Sequence, residues 1–307
     1  MSNAFVDDQF SDHVPLSPEA ETKAWIVFGG LVALISIAYW DMLLLTGSYW
    51  FDALYSHGWL IPVIGAFLFW RLRKPLTEVS AQERWIGVAA MVFFLAIRCF
   101  AAKFDINPVI RLSYVGVLLG AVMLVGGFKM FTWAGAAVAF LVFMFPFPSV
   151  MERKVLLGLQ KVATIASTAV LQTFGIGAVR DGNRILIDEL ELGVVDACSG
   201  LRMLSVFVAM CVALAILMDR PWWDRLAVLV AAVPIALISN IVRIVLTAYL
   251  YKNFGMKNDT INVLIHDGAG FAMMFIGMGL LAVLFSVLTK LTVPIEEDYS
   301  GFGTAAG

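Results

Sequence analysis

The sequence predicts an all-α polytopic membrane protein, and three observations predict it. Apolar residues make up 61% of the 307-residue chain and charged ones only 14%, whereas a soluble domain has roughly half and about a quarter. Mean hydropathy is +0.89. The apolar residues also fall into about eight separate runs near the length that a bilayer core demands of a helix. A net charge of −2 without a long basic run gives no footing for nucleic acid.

Residues 1–23 are polar and acid-leaning, with Asp7, Asp8, Asp12, Glu19 and Glu21, so they read as a cytoplasmic tail and not as a signal peptide. Apolar runs follow at Ala24 to Leu45, Trp59 to Trp70, Trp85 to Phe100, Leu112 to Gly126, Phe131 to Phe145, Leu201 to Met218, Leu226 to Leu250 and Leu264 to Leu288. Together they make one membrane unit over residues 24–289. Residues 290–307 are a second cytoplasmic tail, small, polar and glycine-rich.

A further stretch, Val155 to Phe174, is apolar but carries Gln160, Lys161, Thr164, Ser167, Thr168 and Gln172 on a polar side. Loop charge decides its expected role, because cytoplasmic loops are rich in Lys and Arg. The loops Arg71 to Arg84 and Asp219 to Arg225 are basic and both read as inside, which requires an even number of crossings between them. The stretch is therefore expected to be an amphipathic helix on the outer face. Arg98, Lys103 and Arg111 are the exceptions to this vote, since they fall in a loop assigned outside. Between this helix and the next apolar run, Asp181-Gly182 and alternating apolar residues from Ile185 to Val194 suggest a small β hairpin on the outer surface.

Three chemically active side chains fall at one membrane level in this topology. Cys198, in "ACSGLR", precedes a helix that runs inward. Arg243, in "SNIVRIVLTAYL", lies on the returning helix and shares a face with Asn240 and Thr247. His266, in "LIHDGAG", opens the helix after that. The trio suits acyl transfer. A cysteine near a helix N-terminus beside cations has a depressed pKa and an accessible thiolate. Histidine can exchange protons near neutral pH. Arginine, charged at every relevant pH, can hold an oxyanion or a carboxylate. An arginine within a span costs about 2.5 to 3.5 kcal/mol on insertion scales, so Arg243 needs a partner or a role.

Other polar features carry less. Cys99 and Cys211 read as small apolar fillers, and the three cysteines show no zinc or disulfide spacing. His57, in "YSHGWLIP", starts a helix as a proton carrier, a substrate contact or an interfacial residue. "FPFPSV", Phe145 to Val150, breaks a helix, because proline cannot continue the ladder. Asp188, Glu191 and Asp196 read as a solvated face and not as a cation site. No metal or cofactor is expected.

With "ACSGLR", "NIVRI", "HDGAG", "YSHGWLIPVIGAFLFWRLR" and the "FPFP" break, the chain resembles the exosortase/archaeosortase family of membrane cysteine transpeptidases from about Tyr55 to Leu288. The resemblance implies Cys198, Arg243 and His266 as catalytic residues, and His57, Ser199, Arg202 and Asn240 as substrate-binding or supporting ones. Met203 departs from the Ser found after the Arg in many members. It also implies a multi-pass, stand-alone enzyme of a bacterial inner membrane with its active site facing the periplasm. Its substrates would be membrane-anchored proteins with a PEP-CTERM-like C-terminal sorting signal, and the acceptor would be water, an amine or a surface anchor. Two other readings stay open: a non-catalytic component of exopolysaccharide export, such as a scaffold or transporter, and a protease using water alone. The transporter lacks the paired repeat and midplane polar site that such folds carry.

Overall fold

Ser17, Pro18 and two glutamates start the first helix while the sequence is still polar. The Ser17 hydroxyl accepts the Ala20 amide, proline occupies the first turn, and Glu19 and Glu21 face the positive end of the helix dipole. In the computed structural model, which describes residues 15–52, 54–187, 190–193, 200–254 and 259–291, this helix, α1, spans Pro18–Ala38. It breaks at Tyr39, and α2 continues over Trp40–Tyr49, where one run from Ala24 to Leu45 was expected. The break is chemically filled: Arg98 donates to the Ala38 carbonyl, its guanidinium lies 4.2 Å over the Tyr39 ring, and the Tyr39 hydroxyl pairs with Ser113 at 2.9 Å.

A 3₁₀ turn, Ser56–Trp59, leads into α3, Leu60–Leu72. Helix α4, Ala81–Lys103, begins with a capping box between Ser80 and Glu83. Helix α5, Asn107–Ala139, is folded in two at Gly127, whose φ of 61° and ψ of −161° are not helical. The Tyr114 ring on the first arm and the Phe145 ring just beyond the end of the second lie 6.5 Å apart, where a continuous helix would hold them about 46 Å apart. The arms are thus antiparallel, and they correspond to the two expected runs Leu112 to Gly126 and Phe131 to Phe145. Glu83 closes this turn as well, accepting the Phe128 amide on Oε1 at 3.0 Å while Oε2 accepts from the Ser80 amide and hydroxyl. One carboxylate caps two helix starts. Alongside, Gly87 of α4 meets Leu124 so closely that an added Cβ would lie 2.5 Å from the Leu124 nitrogen.

A 3₁₀ segment, Phe140–Met144, ends the second arm before α6, Ser149–Thr173. The strands β1, Ala178–Asp181, β2, Arg184–Ile187, and β3, Leu190–Gly193, form an antiparallel meander in that order. The expected alternation from Ile185 to Val194 corresponds to β2 and β3, and the structure adds β1, paired Ala178 to Ile187 and Asp181 to Arg184 across the Asp181-Gly182 turn. Helices α7, Gly200–Leu217, α8, Trp222–Phe254, and α9, Asp259–Leu291, complete the bundle.

Among the described residues five helices are long and apolar enough to cross a membrane: α1, α4, α5 with its 3₁₀ extension, α6 and α8; α7 and α9 contain shorter apolar segments, Leu204–Leu217 and Phe275–Leu291. The chain is a multi-pass membrane protein. The folded α5 holds two of the eight expected runs and α3 has 13 residues, so the five long helices do not match those runs one for one.

The amphipathic reading of α6 requires a correction. A helix lying on a membrane surface turns its polar side to water, yet Gln160, Thr164, Ser167 and Thr168 are buried while Val155, Leu157, Val162 and Ile165 are exposed. While Lys161 and Gln172 are exposed, four of the six polar residues thus face protein. Ala163 and Leu171 pack there with Ile185 and Ile187 of β2 and with Ile244 and Ala248 of α8. Asn183 and Gln172 tie the sheet to this helix through Gln160 Oε1, at 3.2 Å, and the Ala178 carbonyl, at 2.8 Å.

The main core surrounds the α5 arms, with Val117, Ala121, Val122, Met130 and Ala134 against Leu68 of α3 and Ala209 and Ala213 of α7. A second core joins Phe207 and Cys211 of α7, Val228, Ala232 and Ala236 of α8, and Met273 and Leu281 of α9.

Candidate active site at one end of the bundle

Two prolines determine where the second arm of α5 stops. Pro146 and Pro148 each lack an amide donor, so the chain runs extended from Phe145 before α6 begins. This break forms one wall of a cavity of about 160 Å³. Tyr55 and His57 enter it from the 3₁₀ turn before α3, Arg111 and Leu112 from the first arm of α5, and Ser205 from the second turn of α7. Four separate chain segments therefore meet at the end of the bundle opposite the Arg71 to Arg84 loop.

Arg111 is 6% exposed. Its Nη1 donates to the Pro146 carbonyl at 3.4 Å, and its guanidinium lies 5.3 Å from the centroid of the Tyr49 ring. Tyr55 donates to Glu152 Oε2 at 2.8 Å, and Trp50 donates to the Met144 carbonyl at 2.9 Å. These bonds lock the Tyr49 to His57 loop onto the start of α6. Burial, then the hydrogen bond to Glu152 and that carboxylate's charge, push the Tyr55 hydroxyl well above its ordinary range. The group thus stays a neutral donor when folded, while the unfolded tyrosine ionises near pH 10. Its stabilisation is complete below that pH and falls as pH rises above it. Thermal unfolding in detergent between pH 8 and 11 is expected to show a steeper alkaline loss for the wild type than for Tyr55→Phe, with equal slopes overturning this assignment.

The second polar region is the face of α8. Ser239, Asn240, Arg243 and Thr247 are all buried, Arg243 at 7% exposure, and the last three lie on one face at helical spacing. Ser239 Oγ and Asn240 Oδ1 have no hydrogen-bond partner among the described residues. Helices α7 and α8 are joined by the short Met218–Pro221 connection and pack along their length, as do α8 and α9. Counting back equally from each connection sets Gly200 level with Ser239, and His266 level with Thr247. Arg243 lies between these levels, about 6 Å along the axis from each.

Of the residues expected to form the site, Arg243 and Asn240 lie together on this buried face, and His57 lines the cavity. Arg202 lies in the first turn of α7 and His266 in the third turn of α9; their side chains, and Cys198 and Ser199 altogether, lie outside the described residues. Cys211 is buried and Cys99 is exposed, so Cys211 fits the filler reading and Cys99 faces outward. Glu191 pairs with Arg184 on the neighbouring strand, as a solvated face does; Asp188 and Asp196 lie outside the described residues. Sequence reasoning missed Arg111, Tyr55 and Ser205 as cavity residues. The available signal was Arg111 itself, a cation that contradicted the loop-charge vote.

The model of the transmembrane exosortase family (Exosortase_EpsH) matches residues 49–283. No curated protein and no solved structure matches the chain significantly. The matched range begins at the Tyr49 ring that stacks on Arg111 and ends within α9, so it takes in the cavity, the α5 turn, the sheet and the polar face of α8. The chain belongs to the transmembrane exosortase family.

Proposed function

We propose that this protein cleaves the C-terminal sorting signal of exported, membrane-anchored proteins and passes them to an acceptor, acting at the periplasmic face of a bacterial inner membrane. Arg243 carries this reading: a guanidinium buried inside an apolar bundle, beside Asn240 and Thr247, in a helix antiparallel to the one that follows Cys198. Family membership over residues 49–283 supports it independently.

In the proposed reaction the Cys198 thiolate attacks the scissile carbonyl, and Arg243 neutralises the oxyanion that forms. His266 donates a proton to the departing amine as the C–N bond breaks, leaving a thioester on Cys198. Water or an amine then attacks the thioester, giving its proton to His266, as the C–S bond breaks and the thiolate is regenerated. His57, Ser199, Arg202 and Asn240 would bind substrate or hold the reacting groups. The substrate's own spanning helix brings the signal to the site, with PEP-CTERM-like tails as its class.

Thiol labelling tests this reading. A membrane-impermeant maleimide is applied to intact spheroplasts that express the protein with Cys99 and Cys211 replaced. Fast labelling of Cys198 that slows in Arg243→Ala and His266→Ala is expected. Labelling only after the membrane is opened would contradict the periplasmic site, and a rate indifferent to both changes would favour a scaffold.

A further inference from the structure

The cavity beside Pro146 contains a buried cation, Arg111, with no carboxylate partner among the described residues. Arg111 offers five N–H donors, of which the Pro146 carbonyl takes one through a long bond, while Tyr49 covers its face. Among the described residues no carboxylate lies within salt-bridge distance of it. Glu152 lies outside the cavity lining and is engaged with Tyr55, from whose hydroxyl it accepts. Buried guanidinium groups are costly without an anion, and apart from Tyr55, His57 and Ser205 the cavity walls are apolar.

We infer that this cavity is a specificity pocket for one acidic side chain of the peptide substrate, with Arg111 as its charge partner. The inference rests on the proposed function. Size supports a single side chain, because a cavity of about 150 Å³ holds a benzene-sized group and this one measures about 160 Å³. Charge supports a carboxylate over a lipid phosphate: one fixed cation in an apolar wall matches a monoanion through two parallel hydrogen bonds, whereas anionic lipid sites gather several Lys and Arg. Position supports a peptide entering the active site, because Ser205 lines the cavity about 7.5 Å along α7 from Gly200, which follows Cys198 by two residues.

The pocket predicts a preference that changes with Arg111. A membrane-anchored reporter with a sorting tail is made in two versions, carrying Glu or its isostere Gln in the signal ahead of the spanning helix. A photo-crosslinking amino acid replaces Phe147, at the cavity rim, in the Cys198→Ala protein, so that occupancy is read without cleavage. At least about tenfold more cross-linking to the Glu reporter is expected, as for a hydrogen-bonded charge. Arg111→Gln, which removes the charge and keeps a polar amide, is expected to bring that ratio close to one, and Arg111→Lys to restore part of it. Equal cross-linking of the two reporters by the protein with Arg111 intact would overturn the pocket, even if Arg111→Gln failed to fold. So would cross-linking to phospholipid in place of the reporter. Because the readout does not use Cys198, failure of the catalytic reading leaves it interpretable: loss of cleavage chemistry with a persisting Glu preference would remove the nucleophile and keep the pocket.

Discussion

Cys198→Ala is expected to abolish release of the sorting tail, lowering the cleavage rate by about 10⁴-fold or more while the protein still accumulates in the membrane. Removal of a nucleophile leaves only the catalysis that positioning and oxyanion stabilisation supply, as in other enzymes that work through a covalent intermediate. Arg243→Ala should cost about 10² to 10³-fold, the usual worth of one oxyanion donor, and Arg243→Lys should recover part of it because it keeps charge but loses the planar fork. His266→Ala should cost about 10² to 10⁴-fold. These losses belong to one machine and do not add, so Cys198→Ala/Arg243→Ala should be no slower than Cys198→Ala alone. Immunoblotting of a tagged reporter against time measures all of them. Wild-type cleavage by Cys198→Ala would refute the thioester mechanism outright.

Gly127→Ala is expected to be strongly destabilising, costing roughly 3 to 5 kcal/mol of stability. The backbone there, at φ 61° and ψ −161°, lies in a region that essentially only glycine occupies, and holding another residue in it costs about 1 to 3 kcal/mol. The added Cβ would also lie 2.7 Å from Glu83 Oε1. Glu83 cannot simply swing away, because the same carboxylate accepts from Phe128, from the Ser80 amide and from the Ser80 hydroxyl. Its displacement would uncap both α4 and the second arm of α5. Unfolding in detergent would show the loss. Glu83→Ala should be destabilising on the Gly127 background but less so on the Gly127→Ala background, where the clash has already disturbed the cap. Equal stability of Gly127→Ala and wild type would contradict a folded α5.

Several parts of this architecture were legible before any coordinates. The two arms of α5 appeared as separate apolar runs, with Gly127 and Lys129 between them. The polar stripe Asn240, Arg243, Thr247 followed from helical spacing, and the structure buries all three. Strands β2 and β3 followed from Asp181-Gly182 and the alternation beyond it. Other parts were hidden for physical reasons. The polar side of α6 is visible as a stripe, but a period does not say whether water or protein faces it, and here α8 and the sheet do. Arg111 looked like one more loop charge because its burial depends on Pro146, brought to it by the return of the second arm. The Tyr39 break in the first helix has no proline or glycine to announce it; it depends on Arg98, from a different helix, reaching the Ala38 carbonyl.

By itself the sequence determined the membrane class, the approximate helical runs and the motifs of an exosortase. Composition, run length and residue spacing are local along the chain, and local quantities can be read from it directly. Tertiary structure alone decided that α5 doubles back around a shared Glu83 cap, that the polar side of α6 turns inward, and that Arg111, Tyr55, His57 and Ser205 meet in one cavity. Each of these depends on which distant segments desolvate one another, and that is determined only when the helices pack.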